Sequence, residues 1–283
     1  MNLIQITGAV ELGLVYGLVA VAVFLTFRVI DFPDLTVDGS FPLGAAVATS
    51  LIVGGMNPVL ASLIAFFAGA LAGFVTGYLN VKWNILELLS GILTMTALYS
   101  INLRIMGRPN IALLNEPTIF NYGPVLWMTL AIVLIFIVLL ARFLRSEFGL
   151  AVRATGVNSR VSRAYGINVG SMKIFMLALS NAIVAFSGSL FAQAQGFADI
   201  SMGSGTVIIG LASVIIGEVL FQNKSLLISL ISCILGSILY RIAVALALNS
   251  NDIGLQASDL NLITAIIVAV TMVLPKLKKA RRA

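Results

Sequence analysis

Two short polar runs interrupt an otherwise apolar chain, and their residue types suit capping helix ends and lining a polar path. The first, Asp31-Phe32-Pro33-Asp34-Leu35-Thr36-Val37-Asp38-Gly39-Ser40, alternates carboxylates and hydroxyls, and the second, residues 196–206, carries Ser201, Ser204 and Thr206. Side chains of these types accept hydrogen bonds from the free N–H groups at helix starts. Asp34, Thr36, Asp38 and Ser40 are therefore expected to cap a helix at one break, and Ser201, Ser204 and Thr206 at the other. The chain has no histidine, which disfavours a classical zinc or haem site, and its one cysteine, Cys233, has no partner for an internal disulfide. It also has no G-x-x-x-x-G-K-[ST] phosphate loop, so no ATP or magnesium site is expected in this chain and any ATP hydrolysis must come from a partner.

The elements that position these runs follow from composition. Of the 283 residues 60% are hydrophobic and 10% charged, against about 25% charged in soluble domains. About 20 consecutive apolar residues cross a bilayer as a helix. Blocks of roughly that kind run over 8–27, 41–53, 58–79, 85–105, 125–144, 172–194, 207–220, 226–248 and 260–273. The fold expected is an all-α, multi-pass membrane protein of about nine spans, with residues 1–283 forming a single transmembrane domain. The first block carries Glu11 in place of a positive cluster and is followed by further spans, so it reads as a helix rather than a cleaved signal.

Positive charge concentrates at Arg142, Arg145, Arg153, Arg160, Arg163 and Lys173, and again at Lys276, Lys278, Lys279, Arg281 and Arg282. The positive-inside rule places both groups in the cytoplasm. Counting back then puts the N-terminus and the 106–124 loop outside, with Arg104 and Arg108 against the rule. The formal charge of +6 is accounted for by anchoring beside anionic lipid, and no nucleic-acid partner is implied.

With this orientation the first break lies toward the inside and the second toward the outside, and each is followed by three further spans. The halves, 8–105 and 172–276, are expected to be inverted repeats joined through the fifth span. Interrupted helices in corresponding positions point to a central pathway, because broken backbone must face protein or water. Asp34, Thr36, Asp38, Ser40, Ser201 and Ser204 are accordingly expected to line or brace that pathway. The alternative is two ordinary loops with capping residues. Gly69, Gly73 and Gly77 in the third span form a close-packing stripe. Glu11, Glu87, Arg104, Glu218 and Arg241 sit close enough to span ends to snorkel or pair.

Between the fifth and sixth spans, residues 145–171 place Ala151, Ala154, Val157, Val161 and Ala164 at spacings of three or four, the pattern of short amphipathic helices on the inner surface. Such helices suit docking to another protein or lying on lipid. Here the chain resembles the permease subunits of bacterial ABC importers of the branched-chain amino-acid and ribose type. The resemblance rests on Gly149-Leu150-Ala151-Val152-Arg153-Ala154 and Ala164-Tyr165-Gly166-Ile167-Asn168. It extends to residues 13–20, to the break at 31–40 and to residues 210–217. It implies a chain of the bacterial cytoplasmic (inner) membrane that moves a small polar solute such as an amino acid. It also implies a second permease subunit, cytoplasmic ATPase subunits that bind ATP and Mg2+, and an extracytoplasmic substrate-binding protein. Contact with the ATPase would fall on Gly149, Arg153, Ala154, Ala164, Gly166 and Ile167. A secondary transporter or channel with no ATPase partner is the competing reading.

Overall fold

The computed structural model describes residues 3–221 and 225–248, together with 265, 266 and 269. The chain forms α1 (Leu3–Phe24), extended by a π-helical turn over Leu25–Val29, then α2 (Val37–Val53), α3 (Pro58–Trp83) and α4 (Glu87–Met106). A short strand β1 (Asn110–Ala112) leads to α5 (Val125–Arg145), the small helices α6 (Glu147–Val157) and α7 (Ser159–Ala164), and α8 (Val169–Gln195). Strand β2 (Phe197–Asp199), a 3-10 turn over Ile200–Gly203, α9 (Thr206–Leu220) and α10 (Leu226–Leu248) complete it.

Seven of these segments are long and apolar enough to cross a membrane, and α2 is a shorter apolar helix. They match eight of the expected blocks. The ninth, 260–273, lies outside the described residues apart from 265, 266 and 269, as does the basic tail.

Helix limits follow from local chemistry. At the start of α3 the Asn57 side chain accepts from the Val59 amide at 2.9 Å with Pro58 in the first turn, and the helix ends at Asn84 in the left-handed region. Asn168 opens α8 by accepting from Ser171 N at 3.1 Å.

The packing centre is α1, whose Leu14, Leu18, Val19, Ala22 and Val23 are buried against α8, α9 and α10. The glycine stripe of α3 lies on α8, as expected. A Cβ added at Gly69, Gly73 or Gly77 would come within 2.3 Å of Asn181 O, 2.1 Å of Leu177 O or 2.8 Å of Ile174 Cα. The two backbones therefore touch directly, the geometry that favours association where lipid removes the hydrophobic drive. By contrast α4 and α5 present Leu89, Leu93, Leu134 and Leu139 outward, a surface suited to acyl chains.

One end of the bundle carries α6 and α7, with Glu87 paired to Lys173 at 2.6 Å and Arg28 paired to Glu218. The other end carries a feature the sequence does not lead one to expect in an all-helical chain, a two-stranded antiparallel ribbon. Asn110 pairs with Asp199, Ile111 with Ala198 and Ala112 with Phe197. It forms because α4 and α8 both stop at left-handed glycines, Gly107 and Gly196, which turn two extended segments toward each other. The first break leaves from the α6–α7 end and the second from the ribbon end.

Candidate functional site

The first break begins where the π-helical turn ends. Thr26 Oγ1 bonds back to Val23 O at 3.2 Å, Phe32 N donates to Thr26 O at 2.9 Å, and Asp31 adopts a left-handed φ of 53°. Beyond it the chain turns inward, and Asp34 is fully buried. Its Oδ1 accepts from Thr36 N at 2.9 Å and its Oδ2 from Asn181 Nδ2 at 2.7 Å. Ser40 Oγ donates to Asn181 Oδ1 at 2.7 Å, and the hydroxyls of Thr36 and Thr76 lie 2.7 Å apart. A buried carboxylate is tolerable only when hydrogen-bonded in this way. The knot fastens the start of α2 to α3 and α8.

Asp38, one turn further on, behaves differently. Thr36 is the N-cap of α2 and makes no side-chain cap bond, while the Asp38 carboxylate reaches across to the second break and accepts from Val207 N at 2.7 Å and Gly205 N at 3.2 Å. It thus caps α9, whose own N-cap, Gly205, has no side chain to offer. A negative group at that helix start also meets the positive end of the helix dipole. Ser201 and Ser204, expected to cap α9, do not. Ser201 N and Oγ are instead held by Asp199, at 2.8 and 2.5 Å. The Ser201 hydroxyl holds the Asp199 carboxyl below the usual carboxylate range, with further help from Ser201 N and Asn110.

Between α2, α4 and the second break lies a cavity of 450 Å³ lined by Asp38, Thr96, Tyr99, Asn102, Ser201 and Ser204. Asn102 Nδ2 donates to Gly39 O at 3.2 Å, and its Oδ1 is buried with no partner among the described residues. Of the residues singled out from the sequence, Asp38, Ser201 and Ser204 face this cavity, and Asp34, Thr36 and Ser40 stand behind it in the buried knot. Asn181, Thr76 and Asn102 were not singled out. Their signal was available as uncharged polar residues inside apolar spans, where each needs a partner.

At the opposite end α6 begins with Ser146, whose Oγ accepts from Gly149 N at 3.2 Å. Asn158 then breaks the helix and caps α7, its Oδ1 accepting from Arg160 N and Val161 N, each at 3.1 Å. Gly149, Val152 and Thr155 face inward, whereas Arg153, Ala154 and Ala164 are exposed and Ile167 is half-buried. Of the large apolar side chains here, Val157 and Tyr165 are the most exposed, at 89% and 82%. Gly166 has φ +81° and open space around the position of a Cβ, so glycine serves there for left-handed backbone and not for a close approach. The close approach occurs at Gly156, where a Cβ would lie 1.9 Å from Val29 O, directly before the first break.

A family model described as branched-chain amino acid transport system, permease component, matches residues 5–274. The chain is 42% identical over 258 residues to the tyrosine transport system permease protein of Clostridioides difficile, covering 90% of this chain and 86% of that one. It is 26% identical over 194 residues to the autoinducer 2 import system permease protein LsrC of Yersinia pseudotuberculosis, covering 66% of this chain and 54% of that one. Its fold resembles PsaBC from Streptococcus pneumoniae in complex with Fab, with a TM-score of 0.52 at 16% identity over 94% of this chain and 89% of that one. With its apolar spans, this chain is a multi-pass protein of the bacterial inner membrane and belongs to the branched-chain amino acid transport permease family.

Proposed function

We propose that this chain is the membrane-spanning, non-catalytic subunit of an ATP-driven importer that carries an amino acid inward. The observation that bears most weight is the meeting of the two breaks. Asp38, from the helix after the first break, caps α9, which starts at the second, and a cavity opens beside them. At such a joint one carboxylate holds together helices that leave toward opposite ends of the bundle, so a movement of one against the other has to pass through it.

The drive would come from a partner ATPase holding ATP and Mg2+, seated on the outer face of α6 and α7. Val157, Tyr165, Ala154 and Ala164 offer it apolar surface and Arg153 a guanidinium. Movement of α6 would be passed through the Gly156–Val29 contact to the segment before Asp31, and so to the first break. A second permease subunit and an extracytoplasmic substrate-binding protein complete the assembly in this reading, and the amino-acid cargo is supported by the name of the relative at 42% identity.

The test is uptake of labelled amino acids into proteoliposomes holding this chain with a co-expressed ATPase and binding protein. Uptake that requires ATP, the ATPase and the binding protein together supports the reading. Uptake by this chain alone would establish a secondary carrier or channel instead.

A further inference from the structure

The second break walls another chamber besides the one at Asp38. It occupies 570 Å³ between α1, α8, α9 and α10, and Tyr16, Phe191, Phe197, Asp199, Ser204 and Arg241 face it. Ser201, Ser204 and Gly205 border both cavities, so the second break is the partition between them.

Arg241 lies inside α10, 15 residues after its start at Leu226 and seven before Leu248, the last residue described in it. Its guanidinium carbon stands 3.9 Å from the centroid of the Tyr16 ring. Its Nε is buried without a hydrogen-bond partner among the described residues, and the ion pairs among those residues, Arg28–Glu218 and Lys173–Glu87, do not include it. A cation with a buried nitrogen inside an apolar span is costly unless something compensates it. The face of Tyr16 does so on one side. Apart from its interaction with the Tyr16 hydroxyl, the stacked guanidinium keeps in-plane N–H donors for a ligand, and that planar fork matches a carboxylate in two parallel hydrogen bonds. Tyr16 is itself held, 5.4 Å from Phe41 and 5.7 Å from Phe191 between ring centroids, so the guanidinium rests on a fixed support.

The rest of the chamber complements such a ligand. Asp199, ionised at neutral pH and held below the usual carboxylate range by the Ser201 hydroxyl, is a counter-charge for an ammonium group. Phe191 and Phe197 supply apolar wall for a side chain.

We propose that this chamber is a transit subsite for an α-amino acid, with Arg241 anchoring its carboxylate, Asp199 facing its ammonium group and Phe191 and Phe197 receiving its side chain. This rests on the importer reading and narrows it to the charges a cargo must carry. The anchor need only be weak, since a cargo held tightly in mid-passage would not leave.

The probe pair is L-tyrosine and tyramine, which differ by the carboxylate. In the purified permease–ATPase complex in nanodiscs, phenylglyoxal modification of Arg241 is followed by mass spectrometry with either compound at millimolar concentration. L-tyrosine is expected to slow modification several-fold and tyramine to leave it unchanged. Equal protection by both, or by neither, overturns the proposal. This assay needs no ATP, so protection without uptake would count against the importer and leave the subsite standing. Arg241→Lys keeps the charge over Tyr16 and loses the fork, and it separates anchoring from bracing. Its Tm is expected to stay near wild type while L-tyrosine uptake by the complete complex falls several-fold. Wild-type uptake in both Arg241→Lys and Arg241→Met overturns the anchor.

Discussion

Asp38 and Val207 are 169 positions apart in the chain, yet the carboxylate of one accepts the backbone amide of the other at 2.7 Å. The bond joins the first turns of α2 and α9. Because α2 runs on to the ribbon end and α9 to the end where Glu218 meets Arg28, any relative movement of the two breaks has to stretch or release this cap.

Substituting Asp38 tests that link. Loss of a helix cap costs about 1–2 kcal/mol, too little to unfold a bundle of this size. Asp38→Ala is therefore expected to assemble with its partners, to show a modestly lower Tm and to lose most uptake. Asp38→Asn, which keeps an acceptor oxygen, is expected to fall between it and wild type. Uptake in Asp38→Ala at the wild-type rate would remove the cap from the transport cycle.

Gly156 makes a sharper prediction about coupling. A methyl group there would sit 1.9 Å from Val29 O, and backbone cannot yield as a flexible side chain does. Gly156→Ala is expected to push α6 off the end of α1 and to lower uptake while leaving ATPase recruitment intact. Gly166→Ala, in open space but at φ +81°, carries only conformational strain of about 1 kcal/mol and is expected to transport normally. Equal effects of the two, read as uptake per recruited ATPase, would refute the route through Val29.

The contrast between these glycines shows what was legible in the sequence. Span positions were readable because each is a run of like residues, and α10 begins where the apolar block does, at Leu226. The Gly69, Gly73 and Gly77 stripe was readable because its period is that of a helix face. The two breaks were readable as polarity, but not how they are wired. That Asp38 caps α9 instead of its own helix depends on a contact across the fold, and local spacing holds no trace of it. Gly156 and Asn181 were hidden for the same reason, since each matters through a neighbour far away in sequence, Val29 in one case and Asp34 in the other. The ribbon was missed because three-residue strands need partners and have no period of their own.

The charge-based orientation yields a labelling experiment. Ser159, at the start of α7, is expected to face the cytoplasm and Asn115, in the loop after β1, the outside. In a background with the buried Cys233 replaced by serine, Asn115→Cys should react in intact cells with an impermeant maleimide. Ser159→Cys should react only after the membrane is opened. The reverse pattern would invert every span.

Arg153 bears the last prediction. It is exposed on the outer face of α6, and among the described residues its side chain takes part in no hydrogen bond or ion pair, so it does not brace its own hairpin. A role in coupling must therefore be played against a partner, and removing the side chain should leave the permease as stable as before. The guanidinium's planar fork can grip a carboxylate or two carbonyls at once, whereas a lysine offers only a point charge. Arg153→Ala is expected to keep its Tm, to bind the ATPase more weakly and to lose hydrolysis stimulated by the binding protein. Arg153→Lys should recover recruitment through its charge but stimulation only in part, because a single ammonium cannot hold the interface in one orientation. If lysine restores both fully, Arg153 contributes positive charge beside the membrane and nothing geometric. If alanine is itself fully active, the ATPase contact falls on the exposed apolar surface of Val157 and Tyr165, which needs no charge to bind.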